Sequence, residues 1–229
     1  MALEVLYEDN HIIVVNKRGG DIVQGDKTGD KTLGDDVKAY IKEKYEKPGD
    51  VFLGTVHRID RPTSGIVLFA RTSKALARLN QMFQDKEIQK TYWAVTENAP
   101  AKKEGTLVHF LTRHEGQNKS YAHDTEKKGS KRAELNYWYE GKSVNYHFIR
   151  VAPITGRHHQ IRVQLSTIGC IIKGDLKYGA KRSNPDGSIH LHAQKIQFIH
   201  PVSKQEIVIS AKPPDDPNWN EFYKVMKGK

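Results

Sequence analysis

The 229-residue sequence predicts an α+β fold with a largely antiparallel, mixed central sheet flanked by helices and loops. Three observations carry that expectation. Segments with strand character outnumber those with helical spacing. Several strands adjoin through turns too short for a parallel crossover. No linker or shift in composition divides the chain. Residues 1–229 are therefore expected to form a single domain, with its core over about residues 4–212 and a peripheral tail at 213–229.

The elements follow in chain order. VLYEDNHIIVVNKRGG reads as two short strands around an Asp-Asn turn, ended by Gly19-Gly20. GDKTGDKT at 25–32 is a duplicated tetrapeptide. Its Gly and Asp content predicts a mobile loop, and it lacks the GK[ST] ending of a phosphate-binding loop. Thr32 can cap a helix, with Asp35 three residues on completing a capping box. Val37, Tyr40, Ile41 and Tyr45 form its stripe, and Pro48-Gly49 stops it. IVLFA at 66–70 is apolar throughout and reads as a buried strand. Thr72 or Ser73 caps the next helix, where Leu76, Leu79 and Phe83 share a face. TYWAV at 91–95 is another strand.

From Arg113 to Arg132 six Lys/Arg stand against three Asp/Glu. This stretch is expected to be an exposed hairpin or loop, either a solvated face or an RNA-contacting surface. LNYWYE and VNYHFIRVAP read as paired strands joined at Glu140–Ser143. A helix from about His158 to Ile168 carries Ile161, Leu165 and Ile168 on one side, with Gly169 as its C-terminal cap. LHAQKIQFIHP and EIVISAKPP close the sheet, and WNEFYKVMK is helical.

Composition narrows the function. The net charge is +10 and the pI about 9.5, which favours polyanionic partners but suits a merely basic surface equally well. One cysteine, Cys170, allows no internal disulfide and fits a reducing compartment. The N-terminus lacks the basic and apolar regions of a secretory signal, and no apolar run is long enough to span a bilayer. A cytoplasmic protein with no membrane association is expected.

One segment stands out for chemistry: His57-Arg58-Ile59-Asp60, then Arg61-Pro62-Thr63-Ser64-Gly65. Pro62 and Gly65 shape it as a loop between strands, where reactive groups collect. An aspartate between Arg58 and Arg61 suits either a reactive carboxylate or a plain salt-bridge cluster, and local chemistry alone leans to the second. His190 and His192 alternate on a strand, but no third ligand at metal-binding spacing accompanies them.

HRIDRPTSG resembles the HRLDxxTSG signature of the RluA family of pseudouridine synthases. The resemblance continues in order. Lys90-Thr91-Tyr92-Trp93-Ala94 is similar to the family's KxYxA strand, and Thr155 to Val163 (TGRHHQIRV) to its TGRxHQIRVH segment. Gly174 to Gly179 is similar to GDxxYG, and Leu191-His192-Ala193 with Phe198 and His200-Pro201 to the LHAxxLxFxHP ending. Together these span about residues 4–212. Ile59 replaces a leucine, Gln164 a histidine and Ile171 a proline; none of these is a group that the chemistry needs.

The resemblance implies the pseudouridine synthase fold and an enzyme that isomerises specific uridines in structured RNA, ribosomal or transfer. The N1–C1′ bond breaks, the base turns, and C5 joins C1′, with no cofactor and no metal. It implies Asp60 as the essential carboxylate, Arg162 as the cation that orients it and Tyr92 as the aromatic hydroxyl against the ring. A stacked uridine must be extruded. Arg58 is expected to fill the vacated stack or hold phosphates, and His57, Arg61, Thr63, Arg157 and Tyr178 to contribute to RNA binding or flipping. Many relatives carry an N-terminal S4 RNA-binding domain; none is evident here, so RNA affinity is expected from the catalytic domain's own basic surface. A monomer is expected. The alternative is a non-catalytic RNA-binding module that retains the fold. A glycosidase-like pair would need a second acid, for which Asp175 is the candidate.

Overall fold

The computed structural model describes residues 3–25 and 29–228. Asp26, Lys27 and Thr28 of the duplicated tetrapeptide lie outside the described residues. The chain forms two compact units, Met1–Gln89 with Ala193–Lys212, and Lys90–His192 with Pro213–Lys229. Two of the three divisions fall inside strands, at Gln89–Lys90 and His192–Ala193, so composition carries no mark of them.

In the first unit β1 (Val5–Glu8) and β2 (Ile12–Lys17) form an antiparallel pair. Asp9 makes the turn between them, its carboxylate accepting from the amides of His11 and Ile12 at 2.7 and 2.8 Å. β2 then pairs with β4 (Ser64–Ala70), as does the short β3 (Gly54–Thr55). Every residue of β4 is buried, as expected of IVLFA. α1 (Leu33–Lys44) begins at the anticipated capping box: the Thr32 hydroxyl accepts from the Asp35 amide, and the Asp35 carboxylate accepts from the Thr32 amide. α2 (Ser73–Gln84) is capped by Thr72, but its fully buried stripe is Ala75, Leu79 and Met82, with Leu76 and Phe83 only half-buried. β10 (Leu191–Ile199) pairs antiparallel with β11 (Glu206–Ser210).

In the second unit five antiparallel strands run in the order β5-β9-β8-β6-β7. They are β5 (Gln89–Thr96), β6 (Glu104–His114), β7 (Lys119–His123), β8 (Lys131–Lys142) and β9 (His147–Pro153). The basic stretch is thus the β6–β7 hairpin and the run into β8. β8 continues past Glu140, through a bulge at Tyr139–Gly141, and the turn falls at Ser143–Tyr146 instead. α3 (Gln160–Thr167) packs Ile161 and Leu165 against Ala94, Leu135, Ile149 and Val151.

The tail expected at the periphery is a core element. α4 (Pro217–Lys227) seats Trp219 and Phe222, 2% and 0% exposed, against Trp93, Val95 and Phe148. Phe222 stacks on Phe148 at 4.8 Å and on Trp93 at 4.7 Å. Burying two such rings contributes about 2 kcal/mol each, more than the Pro- and Asp-rich approach suggests. Asp216 caps the helix through the amides of Asn218 and Trp219, and also meets His190 Nε2 at 2.9 Å. His190 Nδ1 lies 2.9 Å from the Asn184 amide, and its ring stacks on Trp219. His190 is therefore occupied in docking the tail.

Candidate active site

Asp60 lies half-buried in the loop between β3 and β4 of the first unit. The loop's shape is imposed from three sides. The Thr63 amide donates to the Asp60 carbonyl at 3.0 Å, closing the turn through Arg61 and Pro62. Gly65, at φ +112°, follows Ser64; a Cβ there would sit 2.4 Å from the Ala193 carbonyl oxygen. Only glycine permits that approach, which accounts for the last letter of HRIDRPTSG.

The third support is Lys17, the last residue of β2, a position to which no motif draws attention. It is 1% exposed, and its ammonium donates to the carbonyls of Arg18, Asp21 and Arg61 at 2.8, 2.8 and 3.0 Å. All three of its protons are used, two of them on the segment after β2 and one on the loop of Asp60. Burial pushes its pKa down to about 8, while the carboxylates of Asp21 and Asp60 pull the other way. A cation committed to three carbonyls ties two loops together and places positive charge beside Asp60. Nothing in NKRGG marks the lysine as buried, because the carbonyls that hold it come together only in the folded chain.

The other predicted residues of this loop divide by exposure. Arg58 and Arg61 are exposed, and Arg61 reaches Gly20 O through Nε at 3.1 Å. The His57 ring accepts the Leu68 amide at 3.0 Å and stacks on Phe83 at 4.9 Å, so it braces the loop against β4 and α2. Thr63 is 1% exposed, and its hydroxyl has no hydrogen-bond partner.

Tyr92, Arg157, Arg162 and Tyr178 belong to the second unit. Tyr92 is half-buried on β5, opposite Val151, against the cluster that includes Ile161. Arg162 grips Asp175 with both ends of its fork, Nε to Oδ2 at 2.7 Å and Nη2 to Oδ1 at 2.8 Å. The two side chains are 4% and 1% exposed. Asp175 is therefore spent as the counter-charge of Arg162, which removes the basis for reading it as a glycosidase acid. The Arg162 guanidinium also lies 5.1 Å from the Tyr178 ring centre.

The Tyr178 hydroxyl accepts from the Ser120 amide at 2.8 Å, leaving its proton for His159 Nδ1 at 2.9 Å. Burial, then the Arg162 cation and neighbouring bases, push the His159 pKa down to about 2, so the ring is neutral and able to accept. His159 itself sits in the left-handed region at φ 53° and offers α3 no side-chain cap. Gln160 instead ties the loop before α3 together. Its Oε1 accepts from the Thr155 hydroxyl at 2.7 Å and the Arg157 amide at 2.9 Å, and its Nε2 donates to the Glu134 carbonyl. Arg157 is exposed and donates from Nε to the Arg132 carbonyl. Gln164, at the position that departs from the family pattern, is fully buried and donates to His109 and to the Leu107 carbonyl. Among the described residues no group of His, Cys, Asp or Glu is placed to hold a metal ion. No helix there is long and apolar enough to cross a membrane.

Comparison with known proteins identifies the family. The family model described as RNA pseudouridylate synthase matches residues 11–167. Ribosomal large subunit pseudouridine synthase C of Rickettsia bellii is 32% identical over 213 residues, covering 92% of this chain and 68% of the relative. Ribosomal large subunit pseudouridine synthase D of Zymomonas mobilis is 33% identical over 226 residues, covering 94% and 71%. In structure, human RNA pseudouridylate synthase domain containing 4 shares the fold at a TM-score of 0.77 and 22% identity, covering 98% of this chain and 92% of that one. A chain with this fold, and with such identity across nearly its whole length, belongs to the RluA family of RNA pseudouridine synthases.

Proposed function

We propose that this enzyme converts specific uridines of ribosomal or transfer RNA to pseudouridine, and that Asp60 is the carboxylate on which the reaction depends. The observation that carries the assignment is the way Asp60 is presented. It is a half-buried acid on a loop tied down by Lys17 and Gly65, with exposed arginines on either side. A fixed carboxylate beside a buried cation suits attack or proton abstraction better than a mobile surface acid does.

Tyr92 is proposed to lie against the uracil ring and Arg162 to supply the cation of the same reaction. Arg162 enters that role already oriented by Asp175. Arg58 takes the place of the extruded base or holds its neighbouring phosphates, with Arg61 and Arg157 as further RNA contacts. His57 and Tyr178 act by positioning. Ribosomal RNA is favoured as the substrate because the relatives named above are large-subunit ribosomal synthases. The enzyme is proposed to act in the cytoplasm as a monomer, without a cofactor.

Joining C5 to C1′ expels the C5 hydrogen, so C5-tritiated uridine reports turnover directly. Asp60→Ala and Asp60→Asn are expected to abolish tritium release from ribosomal RNA while RNA binding persists. Release by Asp60→Ala at the wild-type rate overturns the assignment. Mapping pseudouridines in total RNA from cells lacking the gene then identifies the position modified.

A further inference from the structure

One cationic cluster of the second unit has no task in the reaction just described. The turn of the β6–β7 hairpin is closed by the Asn118 amide on the Glu115 carbonyl, with Asn118 at φ 45°. It does not stand free. The Ser120 amide donates to the Tyr178 hydroxyl, and the Ser120 hydroxyl to the His158 carbonyl at 2.8 Å. His158 Nε2 lies 3.1 Å from Asn118 Oδ1. Lys177 donates to the carbonyls of Gln117 and Asn118 at 3.1 and 3.0 Å. The turn is thus clamped to the loop before α3 and to the Asp175–Tyr178 turn.

The clamp places charge without neutralising it. Half-buried Lys119 holds its ammonium 5.4 Å from the Tyr178 ring centre and 5.5 Å from that of Tyr121. Arg113 is paired across the hairpin with Ser120, and Lys177 lies on the turn beneath. Among the described residues no carboxylate comes within ion-pair distance of Lys119, Arg113 or Lys177, and neighbouring Asp175 is engaged by Arg162. Lys177 reaches the same fixed turn that carries Lys119, and like charges at such a turn repel one another unless an anion joins them. Burial and Arg162 depress the basicity of His159 most, and Lys177 and Arg113 add to it, so both cations act on this region.

We propose that Lys119, with Arg113 and Lys177, binds a backbone phosphate of the RNA flanking the target uridine. A lysine suits a single phosphate as a point charge, and the fixed turn spares the cost of ordering it on binding. The reading rests on the proposed place of Arg162 in the reaction, since Tyr178 is the ring that Arg162 and Lys119 share.

The test uses the full chain and C5-tritiated ribosomal RNA from cells lacking the gene. Lys119→Gln is expected to raise KM roughly tenfold with little change in kcat, and to make the slope of log affinity against log salt shallower by about 0.7, the share of one phosphate. Lys119→Arg should restore both, and Lys74→Gln, on the exposed side of α2, should change neither. An unchanged salt slope in Lys119→Gln overturns the proposal. So does a loss that Lys119→Arg fails to restore, because a phosphate contact needs only the charge. If the wild type releases no tritium, the enzymatic assignment fails, while the salt slope still decides whether Lys119 meets RNA.

Discussion

The two units hold their chemical groups by different means. In the first, the loop of Asp60 is secured mainly through backbone: Lys17 donates to three carbonyls, and a glycine meets the Ala193 peptide where no side chain fits. In the second, side chains secure one another, Arg162 with Asp175, Tyr178 with His159 and Gln160 with Thr155, and Tyr178 also takes the Ser120 amide. The first arrangement leaves Arg58 and Arg61 exposed and the Thr63 hydroxyl with no hydrogen-bond partner. The second satisfies its members and makes each dependent on the others. An exposed charged loop is held by its backbone, whereas a buried arginine is held by its counter-charge.

The largest expected effect breaks the second arrangement. Asp175→Asn removes the carboxylate charge that both ends of the buried Arg162 fork grip and should cost about 3–5 kcal/mol in urea unfolding. A cost under about 1 kcal/mol would show that the pair is dispensable. Lys17→Met should cost less, about 2 kcal/mol, because three carbonyls lose their donor while the penalty for burying a cation is relieved. Its signature is faster hydrogen exchange at the amides of Gly20 and Thr63, with the second unit unaffected.

Titration separates the units further. His159 is held near 2 against an ordinary value of 6.5, so below pH 6.5 the unfolded chain binds a proton that the folded chain refuses. Stability should fall as the pH is lowered there, by up to about 1.4 kcal/mol per pH unit. His159→Gln, which still offers Tyr178 an acceptor, should flatten that slope. Lys17 is held near 8 against 10.5, so between those values the unfolded chain again binds more protons. Stability should rise with pH across that window, and Lys17→Met should remove the rise. The smallest expected effect on stability is at Thr63. Thr63→Val deletes an unpartnered hydroxyl and should change stability by less than about 0.5 kcal/mol. A larger fall in tritium release than in stability would mean that the hydroxyl serves the RNA.

Much was legible in the sequence because it is local. The Thr32–Asp35 capping box, the fully buried IVLFA strand and the Gly169 terminus of α3 each depend on neighbours within a few positions, and each was found where expected. The family motifs are linear too, and they single out Asp60, Tyr92 and Arg162 for the reaction. α4 escaped notice as a core element because the rings that Trp219 and Phe222 meet, Trp93 and Phe148, lie some 70 to 130 positions earlier.

What the sequence determined by itself is therefore the class of fold, the family and the short motifs that the family shares. The tertiary structure alone decided that Lys17 is buried under three carbonyls and that Asp175 belongs to Arg162. It alone placed Lys119 over Tyr178, on a hairpin clamped to a turn some 60 residues away. The physical reason is common to all three. A charge's role is set by what neutralises it, and those partners are chosen by folding rather than by proximity along the chain.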